Sequence, residues 1–299
     1  DAVGILRVPP GQVPGIFPVP GQQRLRQGRR NICSCRIYLF HGIILPQGGA
    51  ASHPFLRIEE KIYMRVTFLA HDGFFIELDT LCLLFDWWKE PVPSLPDKPL
   101  LVFVSHRHED HFNPEVFTLA AQKPDMQFLL GSDLRLTPRN LEKWHLAPET
   151  AAKCRRCGKH DVWEPLPGVT VETFPSTDEG VAWMVTAEGR TIFHAGDLNW
   201  WHWAEEDDAW NRNMAANFKR YTEPLRGRRA DLAMLPLDPR LGKDGYLGPE
   251  YFLELMDVRH FLPMHQWDDF AFTDQFLAAY PQFAPITTKI HHNSEIFTF

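Results

Sequence analysis

The sequence predicts an α/β fold arranged as a four-layer αββα sandwich, with two sheets at the centre and helices outside. Apolar runs of strand length recur throughout residues 65–299. The first of these runs are close together and joined by turn residues, whereas the later ones alternate with stretches of helical period. The chain therefore begins with consecutive strands and continues with strands that alternate with helices. This order favours two packed sheets covered by helical layers.

Short connections such as Asp72-Gly73 and Asp79-Thr80 join the early strands, which indicates an antiparallel meander. Asn113 is expected to cap the first helix, with Pro114 at its first position. The predicted strands are Arg65–Ala70, Phe74–Leu78, Leu81–Phe85, Leu100–Ser105, Met126–Leu130, Val169–Phe174, Val181–Thr186, Arg190–His194, Asp231–Leu235, His260–Met264 and Glu295–Phe299. The predicted helices are Pro114–Gln122, Glu205–Arg226, Pro249–Val258 and Asp274–Tyr280.

The composition is that of an ordinary globular protein. The 299 residues are 44% hydrophobic and 23% charged, with a net charge of −7. No basic excess indicates a nucleic-acid partner, and no apolar run approaches the roughly 18–20 residues that span a bilayer. The five cysteines are an odd number at uneven spacing and do not resemble a disulfide framework, which favours a reducing, cytoplasmic location.

Residues 1–63 differ from the rest of the chain. They carry eight Lys or Arg and three acidic residues, a net charge of +5, which leaves −12 for residues 64–299. Without a helical or strand period, this segment cannot bury enough apolar surface to offset its ordering entropy. Three interpretations are ranked in this order: an upstream extension with the natural start at Met64, a secretion signal around residues 37–45, and a disordered tail. Residues 64–299 suit one domain.

The densest group of metal-binding side chains follows Leu100–Val104, a fully apolar run that predicts a buried strand. His106, His108, Asp110 and His111 come directly after it. Residues two apart in an extended stretch share a face, so the first two histidines can bind one cation while the other pair faces a second. Imidazole and carboxylate suit Zn²⁺, as one or two ions, and also Mn²⁺ or Fe²⁺.

The segment His106–His111 matches the His-x-His-x-Asp-His signature and in this resembles the metallo-β-lactamase superfamily. His71–Ile76 is similar to an early strand of its ascorbate-phosphate-lactonase-like branch. Three further segments resemble later motifs in the family's order, namely Leu84–Asp86, Phe193–Asp197 and Leu262–His265. The resemblance implies a metal-dependent hydrolase.

The resemblance also implies a role for each matching residue. Asp197 would bridge two cations, and Asp86 would orient their ligands. The remaining implied ligands are His106 and His108 for the first cation, and Asp110, His111 and His265 for the second.

One part of the family pattern is missing. The family usually places a third histidine of the first site after a strand and before a glycine, but Thr173–Gly180 contains none. Asp178 is the candidate replacement, and an oxygen ligand would shift the preference toward Mn²⁺ or Fe²⁺. Alternatively the first site is weak or vacant, or Ser176–Asp178 is only a turn.

Several other residues have both a functional and a structural interpretation. His71, in an early loop, and His194, at a strand end, either approach the cations or a substrate or pack in the interior. His202 lies among three tryptophans in Asn199–Trp203, which either line a pocket or pack the following helix. Arg240 either pairs with an anionic substrate group or belongs to a surface turn. The segment Cys154–Cys157 is predicted to be a polar loop because a structural zinc needs four ligands.

The sequence thus predicts hydrolysis of a small ester, lactone or phosphoester by metal-activated water, with Asp110 holding that water. Two alternatives stay open. One is a phosphodiesterase or nuclease of the same superfamily, against which the acidic domain argues. The other is a non-catalytic metal-binding protein with a degenerate first site.

Overall fold

The computed structural model describes residues 63–123 and 125–299, and the statements below refer to these residues. The predictions for residues 1–63 lie outside them, apart from Tyr63. Met64 is fully buried and exchanges backbone hydrogen bonds with Phe299.

Strands are numbered here in chain order. The first sheet contains β1 (Arg65–Phe68), β2 (Phe74–Glu77), β3 (Cys82–Phe85), β4 (Leu100–Val104), β5 (Gln127–Gly131), β6 (Cys154–Cys157) and β15 (Ile296–Thr298). The second sheet contains β7 (Val162–Leu166), β8 (Val169–Pro175), β9 (Val181–Ala187), β10 (Arg190–His194), β12 (Leu232–Pro236) and β14 (Phe261–Met264). A small third sheet pairs β11 (Arg229–Ala230) with β13 (Asp257–Val258).

The helices lie between and after these strands. They are α1 (Pro138–Lys143), α2 (Pro148–Ala151), α3 (Asp208–Thr222), α4 (Leu247–Leu255) and α5 (Phe272–Ala279). Turns of 3-10 helix cover Pro114–Ala121, Glu223–Leu225, Pro239–Tyr246 and Pro281–Phe283.

Both large sheets change from antiparallel to parallel pairing. In the order β15-β1-β2-β3-β4-β5-β6, the pairs up to β3 are antiparallel and those from β3 onward are parallel. In the order β14-β12-β10-β9-β8-β7, the strands β10, β12 and β14 are parallel and the rest antiparallel. The early meander β1-β2-β3 is therefore confirmed.

Strand β4 shows why the first sheet is a middle layer. Its residues are all buried, and alternate ones belong to two different apolar clusters. Leu101 and Phe103 pack with the second sheet, whereas Val102 packs with Phe117 and the 3-10 helix on the outer face. A strand covered on both faces is a continuous apolar run. The predicted αββα architecture is confirmed.

Some predicted boundaries are wrong. Cys154–Cys157 is the edge strand β6 and not a loop, because it pairs with β5 and buries Cys157; its two arginines hide this in the sequence. The helix predicted over Pro249–Val258 ends at Leu255, since the chain then pairs with β11. The helix predicted over Glu205–Arg226 begins at Asp208, where Asp207 accepts the Trp210 N–H.

The parallel strands bring four candidate residues together with Asp238, which the sequence did not single out. Asp86 follows β3, His106 follows β4, Asp197 follows β10, Asp238 follows β12 and His265 follows β14. The carboxyl ends of parallel strands are the usual place for a ligand crevice in open α/β sheets. No helix in the described part of the chain is long and apolar enough to cross a membrane.

Candidate metal centre

Two groups of four ligand-type side chains meet at this edge, each with its ligand atoms within 4.8 Å of one another. We call them the outer cluster and the inner cluster. The outer cluster is His106, His108, Asp178 and Asp197. The inner cluster is His71, Asp110, His111 and His265.

The outer cluster contains the two histidines predicted for the first cation. His106 Nε2 lies 2.9 Å from His108 Nδ1 and 3.3 Å from Asp197 Oδ2. Asp178 Oδ2 lies 3.7 Å from His108 Nδ1. The side chains of His108 and Asp178 are 42% and 46% exposed, so this cluster opens to solvent on one side.

The inner cluster contains the predicted ligands of the second cation and one residue more. His71 Nε2 lies 3.3 Å from Asp110 Oδ2, and His265 Nε2 lies 4.0 Å from the same oxygen. The three histidine side chains are at most 3% exposed. The sequence left open whether His71 approaches the cations or a substrate or packs in the interior, and the structure brings it among the ligand-type groups.

Asp197 lies between the clusters. Its Oδ2 faces His106 at 3.3 Å, and its Oδ1 faces His111 Nε2 at 3.2 Å and His265 Nε2 at 3.5 Å. One carboxylate thus presents one oxygen to each cluster, which is the arrangement of a bridging ligand.

Asp86 orients histidines of both clusters. His111 donates its Nδ1–H to Asp86 Oδ2 at 2.9 Å, which leaves Nε2 free to face the inner cluster. Ser105 donates its hydroxyl to the same carboxylate at 2.5 Å, and His106 Nδ1–H donates to that hydroxyl oxygen at 2.9 Å. A buried carboxylate behind a ligating imidazole fixes its tautomer and orientation.

Asp238 does the same for His265. Its Oδ2 accepts the Nδ1–H of His265 at 2.9 Å, and the aspartate is fully buried. The hydrogen bonds from His265 and Arg240 lower the pKa of Asp238 despite its burial. The sequence analysis did not select this residue. The sequence feature that could have indicated its role is its position shortly after a predicted strand and two residues before Arg240.

The backbone around the clusters is strained and crowded. His71, Asp86 and His265 have φ values of 55°, 39° and 62°, and such conformations in residues other than glycine concentrate at functional sites. Gly180 has φ +70°, and a Cβ there would lie 2.0 Å from the Ser105 carbonyl oxygen. A glycine at this position therefore lets the Asp178 loop approach the strand end that carries His106.

The two clusters are electrostatically coupled. Burial would raise the pKa of Asp197, but the charges of His111 and His265 hold it well below its usual range. Burial would lower the pKa of His111, but Asp197 and Asp72 raise it well above its usual range. Burial and Asp197 raise the pKa of Asp178. A divalent cation can replace the proton that His111 holds, and the carboxylate of Asp197 is already ionised.

The donor set fits divalent cations. Two ligands at ~2.0–2.1 Å from a tetrahedral zinc are about 3.4 Å apart. The distances between ligand atoms run from 2.9 to 3.7 Å in the outer cluster and from 3.3 to 4.0 Å in the inner cluster. The buried atoms His71 Nε2, His111 Nε2 and Asp197 Oδ1 have no hydrogen-bond partner among the described residues. Buried polar atoms that face each other in this way are the sign of a site built for an ion.

A cavity of about 440 Å³ opens onto both clusters. Its residues include members of each cluster and a group of apolar side chains beside them. They are His108, Asp110, Thr177, Asp178, Asp197, Trp201, Trp203, Trp210, Met214, Arg240 and His265.

The remaining predicted residues are in different places. Arg240 lines the cavity, while His202 does not. His194 is in the interior: its Nδ1 accepts the Gly196 N–H at 3.1 Å and its Nε2–H donates to the Asp72 carbonyl at 2.8 Å. Both ring nitrogens therefore have hydrogen-bond partners, which favours the alternative that His194 packs in the interior.

Asp72 is a residue that the sequence analysis missed. It is fully buried, and its Oδ2 lies 3.2 Å from His71 Nε2 and 3.5 Å from His111 Nε2. Neither carboxylate oxygen has a hydrogen-bond partner among the described residues. The sequence feature that could have indicated Asp72 is its position next to His71. It was missed because Asp72-Gly73 is also typical of an ordinary hairpin turn.

The tryptophans of the segment Asn199–Trp203 divide between the two predicted roles. Trp201 and Trp203 line the cavity, and Trp200 packs near Phe218 of α3.

The sequence of residues 65–209 matches the family described as a beta-lactamase superfamily domain. Over these residues the chain is similar to that superfamily. The predicted superfamily is thus confirmed, while its ascorbate-phosphate-lactonase-like branch stays a prediction. The matched residues contain both clusters except His265, and they end before Asp238. No curated protein matches the chain.

Solved structures share the fold at low sequence identity. Igni18, a metallo hydrolase of Ignicoccus hospitalis, is 16% identical to this chain and superposes with a TM-score of 0.55. The match covers 79% of this chain and 98% of the Igni18 chain. The metallo-beta-lactamase fold protein YhfI of Bacillus subtilis is 14% identical with a TM-score of 0.52, covering 80% and 100%. CmlA, a diiron beta-hydroxylase of Streptomyces venezuelae, is 11% identical with a TM-score of 0.53, covering 79% and 54%.

Proposed function

We propose that this protein is a metal-dependent hydrolase of a small ester, lactone or phosphoester. The observation that carries the proposal is the pair of adjacent His/Asp clusters, joined by Asp197 and open to one cavity. The name of Igni18, a metallo hydrolase, supports the same reaction class. The acidic charge of residues 64–299 disfavours a nucleic-acid substrate.

The outer cluster would hold one cation and the inner cluster another, with Asp197 shared. A bound divalent cation supplies Lewis acidity and lowers the pKa of a coordinated water toward ~7. The site has imidazoles suited to Zn²⁺, but the carboxylate of Asp178 also suits Mn²⁺ or Fe²⁺, and CmlA is a diiron protein of this fold.

Asp110 is the residue we assign to the attacking water. Its carboxylate lines the cavity, and its side chain is 22% exposed. Burial would raise its pKa, but the neighbouring imidazoles of His71 and His111 keep the pKa below its usual range. An ionised carboxylate accepts a hydrogen bond from water and so sets the direction in which its lone pair points.

Metal content and activity test the proposal together. The purified protein is assayed for bound Zn, Mn and Fe by mass spectrometry and then screened against lactones, thioesters and phosphodiesters, before and after chelation. We expect stoichiometric metal and a hydrolytic activity that chelation removes. Protein that binds no metal, or binds it and hydrolyses no class, would overturn the proposal; the second result would favour a non-catalytic metal-binding protein.

The variant Asp110→Asn tests the assigned residue. We expect turnover to fall by ~10²–10⁴-fold, the usual contribution of a positioned proton-handling group. Glu109→Gln is the matched control, because the same charge is removed one residue away from an exposed side chain. Equal turnover in both variants would exclude the role of Asp110.

A cytoplasmic location remains part of the proposal. It rests on the free thiols of Cys82, Cys154 and Cys157, which are typical of a reducing compartment.

A further inference from the structure

The cavity beside the clusters has one apolar aromatic side. The rings of Trp201 and Trp203 lie parallel, 6.2 Å apart with 6° between their planes. Trp210 and Met214 of α3 continue this side. At about 440 Å³ the cavity is of the size that holds small ligands, which range over ~300–1,000 Å³. It has room for a ring-sized body next to the proposed cations.

Arg240 lies at the edge of this aromatic side. Its guanidinium carbon is 5.4 Å from the ring centre of Trp203 and 4.5 Å from that of Trp267. Its Nε and Nη2 donate to the carboxylate of Asp238, with Nε–Oδ2 at 3.0 Å and Nη2–Oδ2 at 2.6 Å. The guanidinium is thus held on one edge by a buried carboxylate and lies over two indole rings.

One edge of the guanidinium is left for a ligand. Among the described residues Nη1 has no hydrogen-bond partner, and the Arg240 side chain is 45% exposed. A planar guanidinium with a free edge binds carboxylate or phosphate oxygens with charge-assisted hydrogen bonds. Little rotamer entropy is lost on binding, because the side chain is already held in place.

We propose that the cavity binds a small substrate with an apolar, ring-sized body and one anionic group, and that Arg240 binds that anionic group. This inference rests on the proposed function, since the body would then lie between the tryptophans and the two clusters. The bound cations would also offset the negative charges of Asp110, Asp178 and Asp197, so that an anion can enter.

Binding of product-like probes tests the inference without any hydrolysis. Benzoate, benzyl alcohol and acetate are titrated into the metal-loaded protein, and the fluorescence of the cavity tryptophans reports binding. We expect benzoate to bind more tightly than either of the others. In Trp210→Ala the advantage of benzoate over acetate should shrink about fivefold, the size of a lost aromatic contact.

The variant Arg240→Gln should weaken benzoate binding about tenfold or more, because a hydrogen bond between charged groups is lost, and should leave benzyl alcohol unchanged. Arg240→Lys keeps the charge and should retain most of the affinity. Arg212→Gln is the matched control: it removes a positive charge from an exposed side chain of α3. Metal content is measured in each variant, so that an indirect effect through Asp238 and His265 is seen.

Equal benzoate affinity in Arg240→Gln and Arg212→Gln would overturn the inference. Benzoate binding that is lost on chelation but is unchanged by substitution of Arg240 would overturn it as well. The two proposals fail separately. If no substrate class is hydrolysed but benzoate binding still depends on Arg240, the proposed function fails and the anion site stands. If hydrolysis is found with equal turnover and KM for matched neutral and anionic esters, the anion site fails alone.

Discussion

The inner and outer clusters contain the same side-chain types in different surroundings. In the inner cluster the three histidine side chains are at most 3% exposed, and Asp86 and Asp238 hold two of them from behind. In the outer cluster the side chains of His108 and Asp178 are 42% and 46% exposed. Ligands that are fixed before the ion arrives lose less entropy on binding it. We therefore expect the inner cluster to bind its cation more tightly, and the predictions below test this difference.

The largest effect is expected at Asp197, which both clusters share. Asp197→Asn removes the charge that faces His106, His111 and His265, so both cations should be lost and activity should fall at least ~10²-fold. Metal analysis after gel filtration measures the loss. Asp257→Asn, at an exposed position of β13, serves as the control and should keep both cations bound. Retention of one full equivalent by Asp197→Asn would show that this carboxylate does not bridge.

A backbone change should disturb the outer cluster through its loop. In Gly180→Ala the new Cβ would lie 2.0 Å from the Ser105 carbonyl oxygen, at a φ of +70°, and we expect a loss of about 3 kcal/mol in the free energy of unfolding. Gly168 is the matched control, because its φ is +77° and nothing lies within 4 Å of its Cβ position; Gly168→Ala should cost about 1 kcal/mol. Urea denaturation measures both, and equal costs would mean that the close approach to Ser105 is not a constraint.

Removing one histidine from each cluster compares the two directly. His265→Ala should abolish the tightly held equivalent of metal, whereas His108→Ala should weaken only the second equivalent, because it removes a half-exposed ligand. Competition with a fluorescent chelator gives both dissociation constants. Should His108→Ala lose the tighter equivalent, the ranking of the clusters is reversed.

The smallest effect is expected from strengthening the outer cluster. Asp178 is our proposed replacement for the third histidine of the first site. Asp178→His puts an imidazole at this position, which should raise zinc affinity at the weaker equivalent about tenfold and lower the preference for Mn²⁺. The measurement is metal competition with Zn²⁺ and Mn²⁺ offered together. An unchanged selectivity would indicate that residue 178 does not contact the cation.

The sequence by itself determined the fold and one continuous part of the site. The apolar run of β4 followed by His106–His111 specifies both a buried strand and a group of ligands, since side-chain alternation decides which residues share a face. Asp86, Asp197 and His265 were predicted as site residues because the segments that contain them occur in the order of the superfamily's motifs. The same local signals did not reveal the strand β6, whose pairing with β5 comes only from the sheet.

Only the tertiary structure decided which distant residues meet. Nothing local distinguishes Asp72 or Asp238 from a turn aspartate, yet both are fully buried beside the inner cluster. In the sequence, His194 and His71 had the same two interpretations. In the structure both ring nitrogens of His194 form hydrogen bonds within the core, whereas Nε2 of His71 has no hydrogen-bond partner among the described residues. The physical reason is that a ligand's role depends on the partners of its second nitrogen and on its burial, and both are set by elements far away in the chain.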